Sequence, residues 1–219
     1  MEITTAEELY NRSKHRTGYK GIYQLWVKRI IDLALSMFIL PIALLLMALI
    51  AIAVKVSDGG PIIYRSRRLG IGFKEFDMFK FRSMKVGAPD IRNVDGSTFN
   101  SKDDERVTKV GKFLRETSLD EIPQLFNIIK GDMSIIGPRA GDVESKDTYL
   151  EDEKDKLLIR PGVSGFSQAY YRNSIGVREK RLLDAAYAHN VSLWLDIRIL
   201  LHTMIVVVLR KGIYTNTDN

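Results

Sequence analysis

The stretch "LALSMFILPIALLLMALIAIAV", Leu33 to Val54, contains no charged residue, and it is longer than the about 20 residues that cross a bilayer's hydrocarbon core. A segment this apolar must either lie in lipid or be enclosed by protein on every face. A secretory signal is a poor alternative. The run begins well inside the chain and exceeds the usual apolar length, although Ala51-Ile52-Ala53 has the small-residue form of a cleavage site. Lipid is the better environment. Lys28 and Arg29 precede the run and Lys55, Arg65, Arg67 and Arg68 follow it, so both flanks carry the basic signature of the cytoplasmic side. Pro41 sits mid-run, where it removes one helical N–H bond, clashes with the carbonyl of Met37 and predicts a kink. A kinked helix that enters one leaflet and returns accounts for both features; a single tilted span with a tolerated proline is the alternative.

A second apolar stretch, "VSLWLDIRILLHTMIVVVL" from Val191 to Leu209, is interrupted by Asp196, Arg198 and His202. Ser192, Asp196 and Thr203 fall near one helical face. This predicts an amphipathic helix on the membrane surface or packed in the core, with Trp194 as an interfacial anchor. The 219 residues suit one soluble domain, alone or with a membrane element. A net charge of +6 implies an anionic partner, whether nucleic acid, phospholipid or a phosphorylated substrate. The absence of cysteine excludes disulfides, thiolate metal sites and a cysteine nucleophile, and fits the cytoplasm. His15, His189 and His202 are too scattered for a metal triad.

Between the two apolar stretches, Gly70-Ile71-Gly72 separates Pro61–Arg67 from Phe73–Ser83 and predicts a hairpin. Alternation in "FKFR" puts Phe79 and Phe81 on one face, Lys80 and Arg82 on the other. Two cations aimed the same way suit a diphosphate; an exposed basic strand face is the plainer reading. Gly87 to Glu105 is polar and aperiodic, a long surface loop. Helical spacing resumes at Val107, Val110 and Leu114, carrying Arg115, and again at Ile122, Leu125, Phe126, Ile129 and Met133. Pro123 is tolerated only in a first turn, so the second helix is expected to begin near Asp120 and to end at Gly131. Asp120 and Glu121 then lie at its positive end, which favours ionised carboxylates. Capping explains such a pair as well as nucleophilic chemistry does. Downstream, Arg139 follows a Gly-Pro turn and Arg172 lies in the basic, aromatic loop "IRPGVSGFSQAYYRN". Asp184 is expected to pair with Lys180 or Arg181 one turn earlier. No glycine-rich nucleotide loop and no internal repeat occurs.

The segments "FKFRSM", "RETSLDEIPQLFNIIKGDMSIIGPR", "IRPGVSGFSQ" and "NVSLWLDIRIL", together with the apolar run from Lys28, resemble the bacterial sugar transferases, the monotopic polyprenyl-phosphate phosphoglycosyl transferases. The resemblance extends from about Lys28 to the C-terminus, and it looks like the minimal form, without the extra N-terminal membrane bundle of larger members. It implies an α/β fold, mostly helical with few short strands, as a monotopic membrane protein with a kinked re-entrant helix and amphipathic surface helices. The implied organisation is a polar N-terminal segment at 1–27, the membrane helix at 28–58 and a cytoplasmic catalytic domain at 59–219. The implied reaction moves a phosphosugar from a UDP-sugar to polyprenyl phosphate and releases UMP, starting surface-glycan assembly at the cytoplasmic face of the bacterial inner membrane. Carried onto this chain, Asp120 is the nucleophile and the Mg²⁺ ligand, and Glu121 is the base toward the incoming lipid phosphate. Lys80, Arg82, Arg115, Arg139, Arg172 and Asp184 form the substrate- and phosphate-binding set. Membrane lipid is a further partner, a homodimer is admitted, and nucleic acid is not expected.

The chain departs from the family pattern in three places. Leu40-Pro41 stands where Ser-Pro is usual, with Ser36 a turn earlier; Pro138-Arg139-Ala140 replaces Pro-Arg-Pro; and "GFSQAYYRN" replaces a Gly-Trp-Ala-Gln stretch, which marks Phe166, Ser167 and Tyr171 as places where a different sugar would register. Two rival functions remain open on sequence: a membrane-anchored basic binding module, which lacks a recognised nucleic-acid motif, and a membrane-bound UDP-sugar phosphohydrolase using the same carboxylates with water as acceptor.

Overall fold

The computed structural model describes residues 5–14, 21–93 and 99–209; His15 and part of the polar loop lie outside them. The apolar run forms the core of helix α2, Lys28–Asp58, entered through a π-helical turn at Tyr23–Val27 and closed by Gly59 at φ 71°, whose N–H bonds to Lys55 O. Helix α2 is one uninterrupted element through Pro41. It is long and apolar enough to cross a membrane, with a mean hydropathy of 3.0 over its most apolar window. Only one stripe of it is covered by protein: Asp32, Ser36, Ala43, Met47, Ile50 and Val54 are buried, whereas Phe38, Ile42 and Leu45 are at least 70% exposed. A core helix of a soluble domain would hide that second face.

The buried stripe is fastened along its whole length. At the start, Lys28 pairs with Asp196, Arg29 donates to the carbonyls of Ile128 (2.6 Å) and Ile129 (3.0 Å), and Asp32 accepts from Ser134 Oγ (2.7 Å) and the Ile135 N–H (3.1 Å). In the second half, Ala43, Met47, Ile50 and Val54 pack on Phe81 and Leu114. At the end, Asp58 pairs with Arg82. Both ends of α2 therefore hold the same body of protein.

That body is built around the expected hairpin. Strands β1, Ile63–Leu69, and β2, Glu75–Phe81, pair antiparallel from Ile63↔Phe81 to Leu69↔Glu75, joined by a 3₁₀ turn in which Gly72 takes φ 58°. Helix α3, Lys109–Thr117, is capped by Thr108 Oγ1 on the Gly111 N–H at 2.9 Å and packs Leu114 on α2. A 3₁₀ turn at Leu119–Glu121 follows, then α4, Gln124–Lys130, ended by Gly131 at φ 99°. The expected single helix from Asp120 is thus a tight turn before a shorter α-helix, because Pro123 supplies no N–H to continue the turn into α4. Beyond α4, β3 (Ser134–Ile136) pairs parallel with β5 (Gly162–Ser164), and the short β4 (Gly141–Asp142) adds to β1.

Helices α5 (Phe166–Tyr170), α6 (Val177–His189) and α7 (Leu193–Val208) complete the domain. The N-terminal helix α1, Ala6–Lys14, docks on α6 by burying Tyr10 against Leu182, Ala185 and Ala186. The amphipathic reading of α7 holds, with its polar face turned inward: Asp196 accepts from Tyr187 Oη (2.5 Å) and Tyr23 Oη (2.6 Å), and Thr203 bonds Ser164 at 2.6 Å. Trp194, Leu201, Met204 and Val208 face outward, each more than half exposed. The inner face also buries Ile199 against Ile136, Ala169 and Tyr187, with Leu195 and Leu200 packed beside it, and Arg198 lies exposed.

Candidate active site

Three breaks in the chain bring Asp120 and Glu121 to one place. Ser118, at φ 57°, ends α3 with its N–H on the carbonyls of Arg115 and Leu114. The 3₁₀ turn then carries both acids, and buried Pro123 starts α4 beneath them. Opposite, β2 is locked to α4 by Asn127, which is fully buried. Its Nδ2 donates to Asp77 O at 2.6 Å and its Oδ1 accepts the Phe79 N–H at 3.0 Å. That clamp sets the strand so that Lys80, one step beyond buried Met78 on the same face, donates from Nζ to Glu121 Oε1 at 2.6 Å.

Burial pushes the Asp120 carboxyl up to about 6; Lys80 and Arg115 pull against it and the neighbouring Glu121 adds to it. Desolvation rather than the turn's positive end dominates the Asp120 proton affinity, and a carboxyl at about 6 remains mostly ionised at neutral pH. Glu121 goes the other way. Burial raises its proton affinity, but Lys80, Arg139 and a hydrogen bond from Gln124 outweigh it and hold the carboxyl below its ordinary range. Two adjacent carboxylates whose proton affinities are driven apart are the usual mark of divided chemical roles.

Of the expected cations, Lys80, Arg115, Arg139 and Arg172 all act on this pair electrostatically. Arg115 donates from Nε to Ser83 Oγ at 2.9 Å. Arg139 is exposed at its side chain while its N–H donates to Asp184 at 2.9 Å. Arg172 sits in a left-handed conformation, φ 46°, with its N–H on Ser167 O at 3.0 Å.

Two members of the expected set do different work. Arg82 does not point with Lys80 at a common ligand. It is buried, with Nη1 on Asp58 (2.5 Å) and Met84 O (3.0 Å), Nε on Pro61 O (2.5 Å) and Nη2 also on Asp58. It fastens the end of α2. Asp184 is 1% exposed and faces neither Lys180 nor Arg181 as its ion-pair partner; Lys156 Nζ stands 3.5 Å away and the Arg139 N–H binds the same oxygen. So placed, Asp184 holds the backbone of the Arg139 loop. Gln124 and Asn127, which the sequence reading did not single out, are the polar groups that hold Glu121 and β2.

Among the described residues, no group of three carboxylate or imidazole side chains gathers as a metal cage. His189 bonds Asp155 at 2.9 Å and His202 stacks on Tyr170 at 4.2 Å. Mg²⁺ does not require a protein cage, since it takes one or two carboxylates and fills its shell with water and substrate phosphate oxygens. The hard oxygens of Asp120, whose charge burial leaves undercompensated, fit that habit.

The chain matches the bacterial sugar transferase family over residues 23–210. It is 40% identical over 201 residues to the undecaprenyl-phosphate galactose phosphotransferase of Salmonella typhimurium, covering 86% of this chain and 42% of that protein. It is 37% identical over 206 residues to the UDP-glucose:undecaprenyl-phosphate glucose-1-phosphate transferase of Escherichia coli, covering 90% and 43%, so it spans less than half the length of these relatives. Against the sugar transferase EpsL of Bacillus subtilis it is 34% identical over 187 residues, covering 85% of this chain and 90% of that one. With a match that takes in the acidic pair, its cations and the whole of α2, the chain belongs to the bacterial sugar transferase family.

Proposed function

We propose that this chain transfers a phosphosugar from a UDP-sugar to polyprenyl phosphate through a covalent intermediate on Asp120. The observation that carries the reading is the acidic pair itself, Asp120 and Glu121 on one 3₁₀ turn, with Lys80 Nζ on Glu121 Oε1 at 2.6 Å and with Arg115, Arg139 and Arg172 acting on the pair electrostatically. A capping pair needs no such set of cations, whereas a diphosphate donor and a phosphate acceptor do. The names of the Salmonella and Escherichia relatives, a galactose and a glucose phosphotransferase, support the same substrate class.

In the first displacement an Asp120 oxygen attacks the phosphorus bearing the sugar. A carboxylate–phosphorus bond forms, the bridging P–O bond breaks, and UMP leaves with that oxygen and its electron pair. In the second, an oxygen of polyprenyl phosphate attacks the same phosphorus and the Asp120 carboxylate departs, giving the polyprenyl diphosphate sugar. Lys80 spends the resting state on Glu121. When it turns to a substrate phosphate, Glu121 loses its main counter-charge, and its proton affinity rises enough to take any proton the lipid phosphate still carries. Mg²⁺ held by Asp120 and the donor phosphates would screen the repulsion between carboxylate and diphosphate.

Seating follows from α2. A helix of 31 residues is about 46 Å long, yet both of its ends are tied to one domain. This supports a helix that stays in one leaflet, kinked or bowed at Pro41, with the domain at the cytoplasmic face where the lipid's phosphate meets the soluble donor. The test is UMP release from a panel of UDP-sugars with and without polyprenyl phosphate. Steady turnover that requires the lipid is expected. Lipid-independent turnover would make the chain a phosphohydrolase, and no turnover with any donor would leave a binding module.

A further inference from the structure

The start of α2 carries a second group of cations that the catalytic reading leaves unused. A cavity of about 210 Å³ is lined there by Gln24, Leu25, Lys28, Arg29 and Asp32 on one side and by Arg160 on the other. Lys28 pairs with Asp196, while Asp32, both of whose oxygens accept hydrogen bonds, from Ser134 and from the Ile135 N–H, sets one negative charge toward Arg29. Arg29 and Arg160 differ. Their hydrogen bonds end on backbone carbonyls, Arg29 on Ile128 and Ile129 and Arg160 Nε on Gly131 at 3.0 Å. The two guanidiniums meet at the same helix end, since a Cβ added at Gly131 would lie 3.4 Å from Arg29 Nη2. Peptide dipoles solvate these charges without neutralising them, and the single Asp32 carboxylate offsets one of the two, which leaves the cavity net positive.

The surroundings identify the depth. Ile22, Leu25 and Trp26 are 74%, 49% and 70% exposed beside the cavity, on the turn that leads into the apolar helix. Leu25 lines the cavity and Ile22 and Trp26 lie on the same turn, and exposed apolar groups with a tryptophan beside a cationic cavity are the arrangement expected at the headgroup level of a bilayer. Guanidinium groups with spare N–H donors match phosphate oxygens in charge and geometry. The cytoplasmic leaflet also presents anionic headgroups at that depth.

We propose that this cavity binds the phosphate of an anionic membrane-lipid headgroup, with Arg29 and Arg160 as its cationic contacts. The bound phosphate neutralises the charges gathered at the C-terminal end of α4, whose other end follows Asp120 and Glu121. The inference rests on the membrane seating of α2 and is independent of the sugar chemistry.

The test is a thermal melt of the full chain in uncharged detergent, read without any sugar donor, so that its failure stands apart from failure of the transfer reaction. A short-chain phosphatidylglycerol at about 100 times its Kd is expected to raise the melting temperature by about 5–10 °C. The matching phosphatidylcholine and inorganic phosphate at the same concentration are expected to do much less. Arg160→Gln should lose most of the rise. Gln24→Glu, which leaves the hydrogen bonds of both arginines in place, should lose it too, and decides the matter should Arg160→Gln fail to fold. An equal rise with phosphatidylcholine, an equal rise with inorganic phosphate, or a full rise retained by Gln24→Glu would each overturn the proposal.

Discussion

Asp120 and Glu121 are chemical neighbours, yet the fold gives one a raised and the other a lowered proton affinity. The consequence is measurable in both activity and stability. If the nucleophile must be ionised, the UMP-releasing step should halve near pH 6 and fall further below it. For stability the sign is opposite. A carboxyl at about 6 in the fold and 3.8 when unfolded binds more protons in the folded state between those values, so its contribution worsens as pH rises through the window and is at its worst above it. Asp120→Asn should therefore melt at or above the wild-type temperature at neutral pH, with the gap closing near pH 4, while activity is lost; a clear drop in melting temperature would favour simple capping. The pair's place at the start of a helix was legible because a proline and a helical rhythm followed it, whereas its role came only from the family resemblance. Its electrostatics were not legible, since Lys80, Arg139 and Arg172, which act on the pair, are remote in sequence. Gln124 and Asn127 were invisible for a plainer reason: a polar residue on a short helix gives no sign of facing inward.

At the scale of elements, the strand alternation of "FKFR" put Lys80 and Arg82 on one face with a common target, an exposed basic face being the plainer reading, whereas Lys80 lies on Glu121 and Arg82 turns elsewhere. The strand ends at Phe81, and beyond it Arg82 finds Met84 two residues on and Asp58 and Pro61, which only the α2–β1 connection brings near. Arg82→Ala should accordingly lower the melting temperature by several degrees, and any loss of donor use should track loss of fold; a variant of normal stability with selectively weakened donor use would restore it to the phosphate set. Asn127→Ala tests the β2–α4 clamp. It strands two backbone groups in a buried place and should cost about 2–4 kcal/mol in a denaturant titration, with turnover lowered beyond what the folded fraction explains, because Lys80 loses its register. Unchanged stability would show that the clamp does not hold the strand. Asp184 teaches the same lesson as Arg82: a one-turn helical pair was the local expectation, and Lys156 from a distant segment supplied the charge instead.

For the molecule as a whole, the apolar run made one long apolar helix legible, whereas its attachment was not, since the residues that fasten α2 lie as far away as Asp196. The seating predicts that Ile22 and Arg67, both exposed and on either side of α2, face the cytoplasm together. The chain has no cysteine, so single cysteines at those positions can be labelled selectively in intact cells. Protection of both from a membrane-impermeant reagent is expected, and labelling of one alone would show that α2 crosses. The central claim is covalent transfer through Asp120. Purified full-length chain mixed with its UDP-sugar and no lipid should release UMP in a burst of about one equivalent per active site and gain the mass of one phosphosugar, removed on adding polyprenyl phosphate and absent from Asp120→Asn. Steady UMP release with no burst and no added mass, or a folded Asp120→Asn variant that still turned over at the normal rate, would contradict the account.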